Sequence, residues 1–174
     1  MNNFKLEEAI QILERTPSTL THLLSGLSND WVYSNEGENT WSPYDVIGHL
    51  IHGEKTDWIV RLHIILNHPD KQFEPFDRFA QFENSKGKNL TQLLNEFTHL
   101  RSENIRILQQ LQLTDNDYTK TGIHPTFGTV TLGQLLATWV VHDLDHLYQI
   151  SRTLAKRYQD NVGPWIEFLR ILKQ

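Results

Sequence analysis

One helical pattern, from Thr131 to Arg157, restricts the fold of this chain most strongly. Apolar residues recur in it every three to four positions, which is the spacing of one buried helical face. The apolar side chains that lie within about 60° of Trp139, at 100° per residue, are Leu132, Leu135, Leu136, Ile150 and Leu154. A helix with such a face must bury it against other elements, so the stretch favours a helical bundle.

Three further helical patterns precede this one. The first, residues 4–27, contains Pro17, so we expect a kink there or two shorter helices that meet there. The second, residues 43–67, begins with a capping Ser42 followed by a proline at the first helical position. The third begins near Asn89, which is followed three residues later by a glutamine, as a capping box requires.

Long connecting segments separate these patterns. Residues 28–40 are rich in turn-forming residues, and residues 112–130 accommodate a short extended piece. Residues 69–88 mix four phenylalanines with charges, and we expect them to pack on the bundle and line a site. After the Gly163–Pro164 break we expect a short amphipathic C-terminal helix. The prediction is an all-α four-helix bundle with long loops, in a single domain that spans residues 1–174.

Composition excludes several classes of function. A net charge of −5 without a basic cluster argues against nucleic acid as the main partner. The chain has no cysteine, so a transition metal would need histidine or carboxylate ligands. The sequence lacks both a signal-peptide pattern at its N-terminus and the ~20 consecutive apolar residues of a membrane helix. We therefore expect a cytoplasmic protein that does not bind membranes.

Polar residues interrupt the apolar face of the fourth helix. Asp143 and His146 lie within the apolar sector and His142 lies at its edge, although buried polar groups must be hydrogen-bonded, paired or metal-bound. Two histidines four residues apart can direct ring nitrogens at one ion. A third ligand must come from a facing helix, and His49 is the best candidate because His52 projects further toward solvent.

Three imidazoles leave a coordination position open, which is the pattern of a catalytic zinc site, although nickel, cobalt and manganese accept related ligand sets. Asp143 occupies the place of the base in a zinc-protease motif, but its projection toward the core favours another role. We expect it to accept a ring N–H from a ligand histidine or to pair with Arg61, with general-base activity as the alternative. His124, just ahead of the fourth helix, is a further candidate for the same cavity.

A structural interpretation of these histidines stays open. With nine histidines in the chain, a pair spaced by four residues can arise by chance, and a histidine in a helix is often only a hydrogen-bonded core or surface residue. The sequence pattern alone does not choose between this interpretation and a metal site.

Two segments carry a resemblance to a known family. They are WSPYDVIGHLIHGE, at residues 41–54, and FGTVTLGQLLATWVVHDLDHLYQISR, at residues 127–152. Both are similar to the corresponding segments of the DinB/YfiT-like superfamily of metal-dependent enzymes. The resemblance implies a four-helix bundle with a divalent metal, zinc or nickel most often. By position, the implied ligands are His49, His142 and His146.

The same resemblance implies a range of activities. Members include S-transferases that use low-molecular-weight thiols such as bacillithiol, an isomerase and many hydrolases, and they often form homodimers. We therefore expect a metal-dependent enzyme, either a thiol S-transferase or a hydrolase that uses metal-bound water. The alternative is a non-catalytic metal-binding or ligand-binding bundle that acts as a stress-related interaction protein.

Overall fold

A computed structural model describes residues 4–173 and confirms the all-α four-helix bundle. The α-helices are α1 (Leu6–Leu13), α2 (Arg15–Leu24), α3 (Asn29–Val32), α4 (Pro43–Thr56), α5 (Trp58–Asn67), α6 (Ala80–Asn84), α7 (Leu90–Gln110) and α8 (Leu132–Lys156). The bundle consists of the α1–α2 pair, the α4–α5 pair, α7 and α8, while α3 and α6 lie in the connecting segments. None of the helices between residues 4 and 173 combines the length and apolar character of a membrane span.

Local capping sequences set the starts of the three longest helices. The side chains of Ser42, Asn89 and Thr131 each accept a hydrogen bond from the backbone N–H three residues later. The side chain at that later position accepts a hydrogen bond from the backbone N–H of the capping residue. Each box satisfies two N–H groups that the helix itself leaves unpaired. The predicted starts of α7 and α8 are therefore confirmed.

The first predicted helix consists of two shorter ones. α1 and α2 meet at Glu14, three residues before Pro17, which therefore lies in the first turn of α2. Proline is tolerated there because its missing N–H would have no partner within the helix. Thr16 does not cap α2, and its hydroxyl donates to the carbonyl of Ile12 at 3.2 Å.

The second predicted helix is also divided, which the sequence pattern did not indicate. Asp57, with φ −113° and ψ −76°, ends α4 and precedes α5. The break changes the helical phase, so Val60 is 45% exposed and Arg61 is buried. It also turns Trp58 inward, where its ring stacks on that of Trp139 at 5.6 Å and 9°.

The connecting segments contain more regular structure than expected. Strands β1 (Thr121–His124) and β2 (Gly128–Thr131) form an antiparallel hairpin directly before α8. In segment 69–88, Phe73 is buried and Phe76 packs on two histidines, as expected, whereas Phe79 and Phe82 remain exposed.

The predicted short C-terminal helix is formed as 3-10 helix and not as a continuous α-helix. Residues Gly163–Phe168 and Arg170–Leu172 form two 3-10 segments separated by Leu169, whose backbone is not helical. Trp165 and Phe168 are exposed, and Leu172 is the residue that enters the core. A short segment without a continuous buried face cannot offset the cost of starting an α-helix.

A polar layer divides the core of the bundle. One apolar cluster contains Leu13, Trp58, Leu62, Phe73, Leu108, Leu136 and Trp139 among others. The second contains Leu20, Leu24, Leu50, Leu93, Phe97 and Ile150 among others. Between them along α4, α7 and α8 lie the buried polar side chains Glu54, Arg101, Asn104 and Asp143 together with His146. The candidate site adjoins this layer.

Candidate metal centre

Three histidines from two helices converge on one point. His49 comes from α4, and His142 and His146 come from successive turns of α8. The Nε2 atom of His142 lies 3.2 Å from Nε2 of His49 and 3.1 Å from Nε2 of His146. Nitrogen ligands around a zinc ion, at roughly 2.0–2.1 Å from it, lie about 3.3 Å apart in a tetrahedral arrangement. The two distances from His142 match this spacing, and all three nitrogens lie within 4.8 Å of one another, so they can share a single divalent ion.

Hydrogen bonding alone does not explain this arrangement. Nδ1 of His146 donates to Oε1 of Gln149 at 2.8 Å, so Nε2 of this neutral ring carries a lone pair. Nε2 of His142 faces two other ring nitrogens, yet one such nitrogen makes only one in-plane hydrogen bond. At least one close N···N contact thus lacks a shared proton, and a cation would satisfy all three lone pairs.

The surroundings keep the three rings neutral. Burial and the neighbouring histidines lower the pKa of His49 to about 3 and that of His142 to about 2, from an ordinary 6.5. Burial also lowers the pKa of His146, against the raising effect of Gln149 and nearby acidic groups. Neutral imidazole is the form that binds metal, so these rings need not lose a proton first at pH 7.

Aromatic packing orients two of the rings. The centroid of the His49 ring lies 4.8 Å from that of Trp41 and 5.3 Å from that of Phe76. The His142 and Trp58 rings make an edge-to-face contact with their centroids 5.1 Å apart. Their Nδ1 atoms are buried and have no hydrogen-bond partner among residues 4–173. Metal-binding histidines usually donate that N–H to an acceptor, which only His146 does here, through Gln149.

Asp143 does not have either expected partner. It contacts no ring nitrogen of the three histidines, and Arg61 pairs with Asp57 on its own segment. Asp143 instead accepts two hydrogen bonds from Arg101 of α7, at 2.5 and 2.9 Å, in the fully buried layer behind the site. Its contact with Arg101 occupies both carboxylate oxygens and argues against a role as general base.

Arg101 is the residue that sequence reasoning missed. It also donates to Glu54 at 2.8 Å, and Glu54 accepts from Asn104 at 2.9 Å and from Trp139 at 3.2 Å. Two carboxylates raise the pKa of Arg101 against the effect of burial, so its charge is retained. A signal was present, because Arg101 lies four residues from both Phe97 and Ile105, on the apolar face of α7.

Two other candidate histidines lie outside the cluster. His52 is buried rather than solvent-facing, because the segment after α5 folds over it and places Phe76 at 4.8 Å from its ring. His124 lies in the hairpin and lines a cavity beside the site without joining the three nitrogens.

Two cavities meet at the histidine cluster. The aromatic cavity, of about 580 Å³, is lined by His49, His142, Trp58, Phe73, Phe76, His124, Phe127, Thr138 and neighbouring residues. The polar cavity, of about 480 Å³, is lined by His49, His142, His146, Glu36, Asn39, Thr40, Trp41, Arg78, Gln149 and Thr153. Each cavity thus has direct access to at least two of the three histidines.

Comparison with known proteins identifies the family. The structure is similar to that of YfiT from Bacillus subtilis, described as a probable metal-dependent hydrolase with an unusual four-helix bundle topology. The TM-score is 0.76 with 23% sequence identity, over 87% of this chain and 86% of YfiT, which shows a shared fold. No curated protein matches the sequence significantly. The sequence profile of the DinB superfamily matches residues 12–150, which include all three histidines, and the chain therefore belongs to the DinB superfamily.

Proposed function

We propose that this protein is a metal-dependent enzyme whose divalent ion, zinc or nickel, is held by His49, His142 and His146. The observation that carries the proposal is the convergence of three neutral Nε2 atoms that no set of hydrogen bonds satisfies. When bound, the ion would act as a Lewis acid that lowers the pKa of a coordinated thiol or water. The protein contributes rigid ligands, because both contributing helices are fixed by the buried polar layer.

Transfer of a group to a low-molecular-weight thiol is the reaction that the two cavities support best. A transferase must bring two organic substrates to one point, whereas a hydrolase needs room for one substrate and water. The polar and aromatic cavities share His49 and His142, so a thiol and an electrophile entering from opposite sides would meet there. A sulfur–carbon bond would form, the leaving group would depart with its electron pair, and the thiol proton would go to solvent.

Arg78 indicates which cavity suits an anionic thiol. Its guanidinium lies over the Trp41 ring, 5.3 Å from the centroid, at the wall of the polar cavity. No acidic side chain within residues 4–173 forms an ion pair with it. An arginine without an internal partner can bind a substrate carboxylate through two parallel hydrogen bonds. We therefore place the thiol in the polar cavity and the electrophile in the aromatic one.

A hydrolase is the second candidate. The similarity of fold to YfiT, described as a probable metal-dependent hydrolase, favours it. Arg101 occupies both carboxylate oxygens of Asp143, which argues against Asp143 as the base that accepts a proton from water. A bundle that binds metal or ligand without turnover, in a stress-related interaction, is the remaining alternative.

Metal analysis tests the site. The purified protein, reconstituted with zinc or nickel and passed through a desalting column, is expected to retain one ion per chain. His142→Ala and His49→Ala should retain none, while His22→Ala, exposed on α2, should match the wild type. A wild type that holds no stoichiometric ion after reconstitution would contradict the site.

Thiol conjugation tests the reaction. The metal-loaded protein is incubated with monochlorobimane and a panel of thiols, and fluorescence of the conjugate is followed. We expect thiol-dependent acceleration over the free metal ion and over His142→Ala. Acceleration of ester hydrolysis without any thiol-dependent conjugation would favour the hydrolase. The absence of both activities would favour the non-catalytic bundle.

We also propose a homodimer that works in the cytoplasm, where low-molecular-weight thiols are kept reduced. Val141, Leu144 and Tyr148 form an exposed stripe along α8, and a second copy would cover these apolar side chains. Sedimentation should give twice the chain mass for the wild type and a smaller species for Val141→Lys. A wild type that sediments as a monomer at all concentrations would refute the dimer.

A further inference from the structure

The turn of the β-hairpin fixes the tautomer of His124. Nδ1 of its ring accepts hydrogen bonds from the backbone N–H groups of Thr126, at 3.1 Å, and Phe127, at 3.2 Å. A nitrogen that accepts these bonds carries no proton, so the proton of the neutral ring is on Nε2. No acceptor for this Nε2–H exists among residues 4–173.

Packing holds the ring at the wall of the aromatic cavity. The Phe127 ring stacks on the His124 ring, with the ring centroids 4.6 Å apart and an interplanar angle of 19°. The Phe73 ring makes an edge-to-face contact with the His124 ring, with the centroids 6.2 Å apart and an interplanar angle of 89°. The strand that carries His124 pairs with β2 and, through Ile123, with the backbone of Phe73 at 2.9 Å. The donor is therefore fixed in position before any ligand enters, which reduces the entropy lost on binding.

Two further polar side chains of the aromatic cavity, Thr138 and Arg61, already have partners inside the protein. The Thr138 hydroxyl donates to the carbonyl of Gln134 at 2.8 Å, and Arg61 pairs with Asp57. Most of the remaining wall is aromatic or aliphatic, from Trp58, Phe73, Phe76 and Leu135. A cavity of about 580 Å³ with apolar walls and few convergent polar groups is typical of a site for a small organic ligand.

We propose that the aromatic cavity binds an apolar, aromatic electrophile that carries a carbonyl-type oxygen, and that Nε2–H of His124 donates a hydrogen bond to that oxygen. The identification of this ligand as the substrate rests on the proposed function. The same bond would stabilise negative charge that develops on the oxygen during attack at the adjacent carbon. Burial and the nearby Arg61 lower the pKa of His124, so the neutral donor is the form present at pH 7.

Ligand binding to the metal-free protein tests this inference independently of the metal and of any reaction. Acetophenone and α-methylstyrene differ in one position, where the carbonyl oxygen of the first is replaced by a CH2 group in the second. Titrations followed by amide chemical shifts should show both probes at the aromatic cavity, with acetophenone bound about fivefold more tightly, as expected for one hydrogen bond. Equal affinities, or binding of neither probe at its solubility limit, would overturn the inference.

Two variants separate the donor from the turn. In His124→Asn, the side-chain oxygen can replace Nδ1 as acceptor for the turn, but no group replaces Nε2–H, so the preference for acetophenone should disappear. His124→Gln places an amide N–H further out and should restore part of the preference. His63→Asn, exposed on α5, is the control. Retention of the full preference in His124→Asn would also overturn the inference.

The tautomer has its own measurement. Nitrogen chemical shifts of the ¹⁵N-labelled histidine rings should show His124 protonated at Nε2 and unprotonated at Nδ1 at pH 7. A ring protonated at Nδ1 would contradict the arrangement. If these results hold while metal analysis fails, the aromatic cavity is a ligand site and the proposed enzyme is wrong; if only the probe preference fails, the metal centre is unaffected.

Discussion

Arg101 on α7 donates two hydrogen bonds to Asp143 on α8, at 2.5 and 2.9 Å, one residue beyond the site histidine His142. Because Arg101 also binds Glu54 of α4, one side chain joins the helices that carry all three histidines. Two buried carboxylates share this one guanidinium directly behind the site proposed to hold a cation.

Removing that side chain should destabilise the fold strongly. Arg101→Met leaves two buried carboxylates without their cation, and the free energy of unfolding should fall by about 3–5 kcal/mol. Urea unfolding of the metal-free protein measures it. Arg106→Met, exposed on the same helix, should change stability by less than about 0.5 kcal/mol. Equal effects of the two substitutions would contradict the proposed importance of the layer.

His146→Ala should abolish metal binding and leave a folded bundle. The substitution removes a ligand and takes a polar group off an apolar face, so the metal-free variant should be as stable as the wild type or more stable. Affinity for zinc should fall by on the order of 100-fold or more. Circular dichroism, thermal unfolding and metal titration check these points. Unfolding of the metal-free variant would instead identify a structural histidine.

Acidification should destabilise the metal-free protein. His49 and His142 have pKa values of about 3 and about 2 in the folded state, below the ordinary 6.5, so the unfolded chain binds protons first. Their contribution to stability is present above pH 6.5 and is lost as the pH falls toward the folded values. Urea midpoints in the presence of a chelator, between pH 7.5 and 5, should therefore decrease.

A double variant isolates the two histidines in that experiment. In His49→Gln with His142→Gln, the dependence on pH should be shallower. Asp57 has the opposite effect on the pH dependence of stability, because burial raises its pKa to about 6. This residue is present in both proteins. The difference between wild type and variant therefore reports the histidines, and identical slopes would refute the assignment.

Arg78→Gln should weaken the use of anionic thiols specifically. Loss of one charge-assisted contact at a partly exposed site should raise KM for mercaptosuccinate about tenfold, with little effect on KM for 2-mercaptoethanol. Conjugation kinetics with monochlorobimane measure both. Lys86→Gln, exposed in the same segment, is the matched control. An equal rise for both thiols would indicate a general effect on the site instead of anion recognition.

Local sequence determined the helix starts and the histidine set. A capping box at Asn89 or Thr131 acts over three residues, so the sequence contains all of its parts. His142 and His146 are one turn apart on a regular helix, and their common direction follows from helical geometry. His49 could be chosen because a capped start at Ser42 fixes the phase of α4 up to that residue.

Tertiary structure decided what lies between distant segments. The break at Asp57 leaves Val60 exposed and Arg61 buried, since turning Trp58 onto Trp139 is a packing requirement with no local signal. The partner of Asp143 is Arg101, 42 residues away in the sequence. Arg61, the expected partner, pairs with Asp57, four residues before it. Periodicity indicates which residues share a helical face, but the packing of the helices determines which charged groups contact one another. The free-energy cost of an unpaired charge arises only when the packed bundle buries that charge.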